Sequence, residues 1–196
     1  DVVMLRGLIG AEEVAIYFIA NQLGNLVFLA YQAVQMVKGP MMARAVQTGD
    51  LATLQHVYSR GALFVFLLAV AAAASLLLFG ELILKVVFGP DYCGAYPVVV
   101  AFAIGYVVQA LFGNTELLLK VTDNEWVVMR AMMLAIIANL GLNAVMIPWF
   151  GALGAAVGSI TVKLCLKGYL SREIHRRVGI SAFAVVRTRA APGKPS

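Results

Sequence analysis

From Gly61 to Phe79 the chain carries no charge, and Ser75 is the most polar side chain in that stretch. A membrane-spanning helix needs about 20 predominantly apolar residues. Backbone groups in lipid must bond to one another, which leaves helices and closed barrels. Barrel strands alternate apolar and polar residues over about ten positions. The continuous run Leu63–Leu78 does not alternate, so it predicts a spanning helix. The whole chain supports the same solvent: 62% of its 196 residues are hydrophobic and 13% charged. A soluble domain is about 45–50% apolar and about 25% charged, and a globule of this size cannot hide the excess. Most soluble enzyme folds, nucleic-acid modules and disulfide scaffolds are thereby excluded. Cys93 and Cys165 read as small packing residues.

The fold class expected is all-α, a polytopic membrane helix bundle. Spans are predicted at about 11–37, 58–79, 94–119, 126–147 and 152–171. The last two are separated by Pro148-Trp149-Phe150-Gly151, since Pro and Gly punctuate helices. Residues 1–9 read as the end of a further helix whose start is missing. Asp1 opens directly into apolar sequence, which reads as a cut within a helix. Residues 39–58 are expected to form a polar link with a turn at Thr48-Gly49-Asp50. The membrane lobe therefore covers 1–178, and 179–196 is expected to be a loose tail.

Successive connections alternate sides. Every Lys and Arg except Arg6 and Lys85 falls on the side that receives 38–60, 120–130 and the chain from 163 onward. The positive-inside rule makes that side, with the C-terminus, cytoplasmic. The net charge of +5 is then a topology signal and no evidence for nucleic acid.

Polar residues inside spans are the informative minority. At 100° per residue, Tyr17, Asn21, Asn25, Gln32 and Gln35 fall within about 80° of one another. Gly24 lies beside them. This stripe reads either as hydrogen bonding between helices or as the wall of a polar substrate cavity. The helix predicted over 94–119 places Gln109, Gly113 and Glu116 on one face. Glu116 either pairs with Lys120 one turn on or couples a cation. Asn139 and Asn143 sit one turn apart, Asn143 near the break at Pro148. In the last span Gly154 and Gly158 form a small-xxx-small pattern for close contact. Ser159, Lys163 and Lys167 share the other face. Lys167 is expected to snorkel to headgroups. Lys163 either snorkels further or faces an anionic substrate in a cavity.

His56 and His175 are far apart, and no His, Cys, Asp and Glu group has metal spacing. No phosphate loop and no nucleophile elbow occur, so no catalytic residue and no resident metal are expected.

A set of short pieces in order adds to this. Asp1-x-x-x-Leu5 and Gly10 precede Val14-x-x-Tyr17-x-x-Ala20. Pro40 and Gly49-Asp50 follow, then Phe79-Gly80, Ile83-Leu84, Phe88-Gly89, Tyr92 and Ala95. Asn143, Ile147-Pro148, Phe150-Gly151 and Gly154-Ala155-Ala156 close the series. Over about 1–178 the chain resembles the C-terminal half of bacterial polysaccharide flippases of the multidrug/oligosaccharidyl-lipid/polysaccharide exporter superfamily. The resemblance implies one six-helix lobe, its first helix truncated, of a two-lobe flippase whose N-terminal lobe is missing. It implies residence in the bacterial cytoplasmic membrane and undecaprenyl-diphosphate-linked oligosaccharide as substrate, for O-antigen, capsule or exopolysaccharide. It implies no cofactor beyond Na⁺ or H⁺ coupling in some relatives. Tyr17, Asn21, Asn25, Gln32, Gln35, Gln109, Asn139 and Lys163 are then the substrate-cavity candidates, and Asp1 and Glu116 the cation-coupling candidates.

Three other readings stand beside it. One is a cation-coupled multidrug antiporter of the same superfamily. Another is a membrane-embedded polysaccharide polymerase or glycosyltransferase, which would need a sizeable loop with clustered Asp, Arg or His. The last is a truncated product unable to enclose a cavity alone.

Overall fold

A computed structural model describes residues 2–8 and 10–179, apart from the side chains of residues 2, 3, 8, 11, 26–33 and 35. Asp1 and residues 180–196 lie outside it. Every regular element among the described residues is helical. A short α1 (Val2–Leu8) leads into α2 (Ala11–Gln47), and a tight turn at Thr48–Asp50 leads into α3 (Leu51–Ile83). A single π turn, Leu84–Phe88, and a 3₁₀ segment, Pro90–Ala95, connect to α4 (Tyr96–Leu111). Then come a separate α5 (Thr115–Val121) and α6 (Glu125–Val178), which folds back on itself at Gly151 into arms 125–150 and 152–178.

Three helical stretches among the described residues are long and apolar enough to cross a membrane: Leu51–Phe88, Pro90–Val121 and Glu125–Val178. Their outward surfaces are apolar, with Leu78, Val86 and Ile137 turned away from the bundle. In water such a surface would drive association; against lipid it is the required finish. Trp126 and Trp149 are 60% and 80% exposed at opposite ends of the first arm of α6. They are separated by roughly 35 Å at 1.5 Å per residue, which matches a hydrocarbon core of about 30 Å flanked by aromatic belts. Arg130 lies over the Trp126 ring at 5.4 Å, as befits a headgroup level.

Two hydrophobic clusters hold the bundle. The larger gathers Leu5, Leu23, Ala69, Ala73, Val99, Phe102, Ile147 and Ala155 from α1, α2, α3, α4 and both arms of α6. Alanine is its commonest buried residue, as expected where lipid offers no hydrophobic drive and close packing must supply the attraction. The smaller cluster gathers Met42, Leu54, Tyr58, Leu118, Leu119, Val128, Leu170 and Ile174, at the end that carries the basic residues.

Two expectations are adjusted. The link over 39–58 is mostly helical about its expected turn: α2 runs through Pro40 to Gln47, and α3 starts at Leu51. Proline costs the helix one hydrogen bond, but Met42 and Ala45 beyond it are buried in the smaller cluster and hold the helix on course. The turn itself is closed by Asp50, which accepts from the Thr53 N–H at 2.9 Å and the Thr53 hydroxyl at 2.6 Å. That is the N-cap geometry that a helix start favours.

The second correction concerns 94–119, which is two helices. Gly113 adopts φ +59° between α4 and α5, a left-handed conformation that costs residues with a Cβ. Its position is also crowded, since a Cβ there would stand 2.9 Å from the Ala62 Cβ. The Tyr58 hydroxyl donates to the Phe112 carbonyl at 2.5 Å, satisfying a group freed by the break. Asn114 restarts the chain as α5 by accepting from the Leu117 N–H at 3.0 Å.

Candidate functional site

The polar side chains of the large cluster form one connected layer. Tyr17 packs edge-on against Phe102, ring centroids 5.6 Å apart at 66°. Phe102 stacks with Tyr106 one turn along α4, at 6.1 Å and 21°. Helix α2 approaches α4 this closely because residue 24 is glycine: a Cβ there would fall 2.7 Å from the Tyr106 ring. The Tyr106 hydroxyl donates to Asn25 Oδ1 at 3.4 Å, and the Lys163 ammonium lies 5.6 Å from the Tyr106 ring centroid. Lys163 itself is exposed on the bundle surface.

A second branch starts at Tyr17, which is hydrogen-bonded to Ser159. The Ser159 hydroxyl donates to Asn139 Oδ1 at 3.3 Å. Asn143 Nδ2 donates to the same oxygen at 3.4 Å. Asn143 is buried against Gly158, where a Cβ would meet its Oδ1 at 2.6 Å. The small residue expected to permit close helix contact here admits an amide.

Of the residues singled out in the sequence, Tyr17, Asn25, Asn139 and Lys163 are thus brought together. Asn21 lies one turn from each of Tyr17 and Asn25, half-buried. Gln109 lies one turn beyond Tyr106, its Nε2 buried and without a hydrogen-bond partner among the described residues. The side chains of Gln32 and Gln35, and the whole of Asp1, lie outside the described residues. Tyr106 and Phe102 were missed in the sequence. Their signal was the aromatic pair one turn apart, continued by Gln109.

Glu116 is elsewhere, and its expected pairing with Lys120 is not what forms. The break at Gly113 turns α5 so that Glu116 meets Lys167 of the second α6 arm, Oε1 to Nζ 3.2 Å. Lys167 is buried and does not snorkel. The break also takes Glu116 out of line with Gln109. At the other end of the second α6 arm, Glu13 Oε2 accepts from the Ala152 N–H at 2.7 Å. A carboxylate there complements the positive end of the second arm. Gly151, at φ +57°, makes the approach, since a Cβ would stand 2.7 Å from that oxygen. Among the described residues no group of three His, Cys, Asp or Glu side chains is placed to hold a metal.

Chemically, the layer offers two phenol hydroxyls, several amides and aromatic faces inside the bundle, with one ammonium at its surface. Such a set can neutralise an anion and hydrogen-bond hydroxyls.

No protein-family model matches the chain. Over 159 residues, 81% of its length, it is 24% identical to the "Probable low-salt glycan biosynthesis flippase Agl15" of Haloferax volcanii. The match covers 34% of that protein, so the chain spans about a third of the relative's length. The chain is therefore an all-α membrane helix bundle with a glycan biosynthesis flippase as a distant homologue.

Proposed function

We propose that this chain is one lobe of a two-lobe flippase that moves lipid-linked oligosaccharide across the cytoplasmic membrane for glycan biosynthesis. The observation that carries the reading is the polar layer of Lys163, Tyr106, Asn25, Tyr17, Ser159 and Asn139 within an otherwise apolar bundle. The relation to a flippase more than twice as long supports a further lobe that would close over this layer. The short α1, the long helices α2, α3, and α4 with α5, and the two arms of α6 fit a six-helix lobe. Lys163 would take the diphosphate of the carrier lipid, undecaprenyl diphosphate in a bacterial host. The amides and phenols would take sugar hydroxyls. Coupling to Na⁺ or H⁺ through Glu116 would require Lys167 to release it.

The test is complementation. The full-length gene is expressed in a strain lacking its glycan flippase, and surface glycan is measured. Rescue by wild type, with loss of rescue at unchanged protein level in Lys163→Ala and Asn25→Ala, supports the reading. No rescue by well-expressed wild type overturns it.

A further inference from the structure

We infer that Tyr106 is the stacking platform for the sugar nearest the phosphate, and that Lys163 covers this platform until an anionic phosphate draws it away. The inference rests on the proposed function and deepens it by giving the face of the Tyr106 ring a role of its own.

The Tyr106 ring is built as a rigid surface. Gly24 lets α2 press against its edge, Phe102 stacks with it along α4, and Asn25 holds its hydroxyl. Together these contacts hold the ring in one orientation, with the packing of Gly24 and Phe102 setting its plane. Yet Tyr106 is only half-buried, and the group over its ring is the Lys163 ammonium at 5.6 Å. No carboxylate pairs with Lys163 among the described residues. Attraction of an ammonium to a ring is modest at exposed positions. A charge-assisted hydrogen bond to a phosphate oxygen is stronger. A phosphate arriving beside Lys163 therefore wins the ammonium and bares the ring. The bared face suits the C–H surface of a pyranose, as apolar groups pack on aromatic faces. Asn25 and Asn21, along α2, are placed for its hydroxyls. Binding of phosphate and sugar is thus coupled through one lysine rotamer, and a sugar without phosphate meets a covered ring.

The test uses the full chain in lipid nanodiscs and two probes of equal charge, farnesyl methyl diphosphate and farnesyl glucosyl diphosphate. Wild type should bind the glucosyl probe about fivefold more tightly, the scale of one aromatic contact. Tyr106→Leu should bind the two probes alike, whereas Tyr106→Phe and Tyr106→Trp should keep the preference. Lys163→Gln should weaken both probes about tenfold. It should also increase saturation transfer from protein to methyl glucoside, which lacks phosphate, relative to wild type. An undiminished glucosyl preference in Tyr106→Leu overturns the inference and leaves the flippase reading standing. So does unchanged saturation transfer in Lys163→Gln. If Tyr106→Leu does not fold, loss of the preference in both Phe and Trp variants overturns it equally. Failure of wild type to bind either probe overturns both the inference and the reading beneath it.

Discussion

Glu116 and Lys167, 51 residues apart in sequence, meet at 3.2 Å and tie the short α5 to the second arm of α6. Removing one partner leaves the other charge poorly solvated, which costs more than the pair contributes. Because Glu116 retains some exposure, the expected loss for Lys167→Met is about 1–3 kcal/mol. Glu116→Gln with Lys167→Gln together should cost less than Lys167→Met alone. Thermal unfolding in nanodiscs reads this, and a double variant as unstable as the sum of its singles would contradict it.

Gly113 joins α4 to α5 with φ +59° and with no room for a methyl group beside Ala62. Gly113→Ala should therefore destabilise by about 1–3 kcal/mol from the left-handed backbone and the contact together. Gly141, where a Cβ would meet nothing within 4 Å, is the control: Gly141→Ala should be neutral or stabilising by up to about 1 kcal/mol. Equal melting temperatures for the two variants would refute the assignment of the break.

Glu13 closes the start of the second α6 arm through the Ala152 N–H. Glu13→Ala should cost about 0.5–2 kcal/mol, the scale of a lost cap. Glu13→Gln should cost less, since it keeps an acceptor. Gly151→Ala displaces the same carboxylate and strains the turn, so the Glu13→Ala, Gly151→Ala double variant should lose less than the sum. Additive losses would mean that the two positions act independently.

Two carboxylates outside the spans make the basic end acid-sensitive. The Thr53 hydroxyl and N–H hold the Asp50 carboxyl below its ordinary value. The Arg177 guanidinium, hydrogen-bonded at 2.8 Å, does the same for Glu173, helped by the charges of Arg176 and Arg172. A lowered value means that the folded state binds protons less readily than the unfolded chain. The stabilisation is complete above the unfolded values, about 3.9 for Asp and about 4.3 for Glu, and is lost as pH falls through the folded ones. The melting-temperature gap between wild type and Asp50→Ala, and between wild type and Glu173→Gln, should be full at pH 7 and close on acidification below about pH 4. A gap unchanged at low pH would assign the effect to something other than these ionised groups.

The candidate layer was partly legible because helical spacing is a local rule. Tyr17, Asn21 and Asn25 share a face wherever α2 lies, so their alignment needed no knowledge of neighbours. The partners were not legible. Asn25 meets Tyr106 only because Gly24 admits the ring, and Ser159 meets Asn139 only because α6 folds back at Gly151. The passage of α2 through Pro40 was not legible for a related reason. Its local cost favours a break, while burial of Met42 and Ala45 beyond it favours continuation, and burial won.

By itself the sequence determined the solvent and the all-helical class. Charge-free apolar runs such as Leu63–Leu78 have no favourable state but a helix in lipid, because each backbone group must find its partner within the run. Tertiary structure decided which charges and amides meet. Whether Glu116 pairs with Lys120 or Lys167 depends on how a left-handed glycine three residues earlier turns α5. Whether Lys163 faces lipid or the Tyr106 ring depends on which helix stands beside it. Those are contacts between segments far apart in the chain, and close packing rather than local propensity selects them.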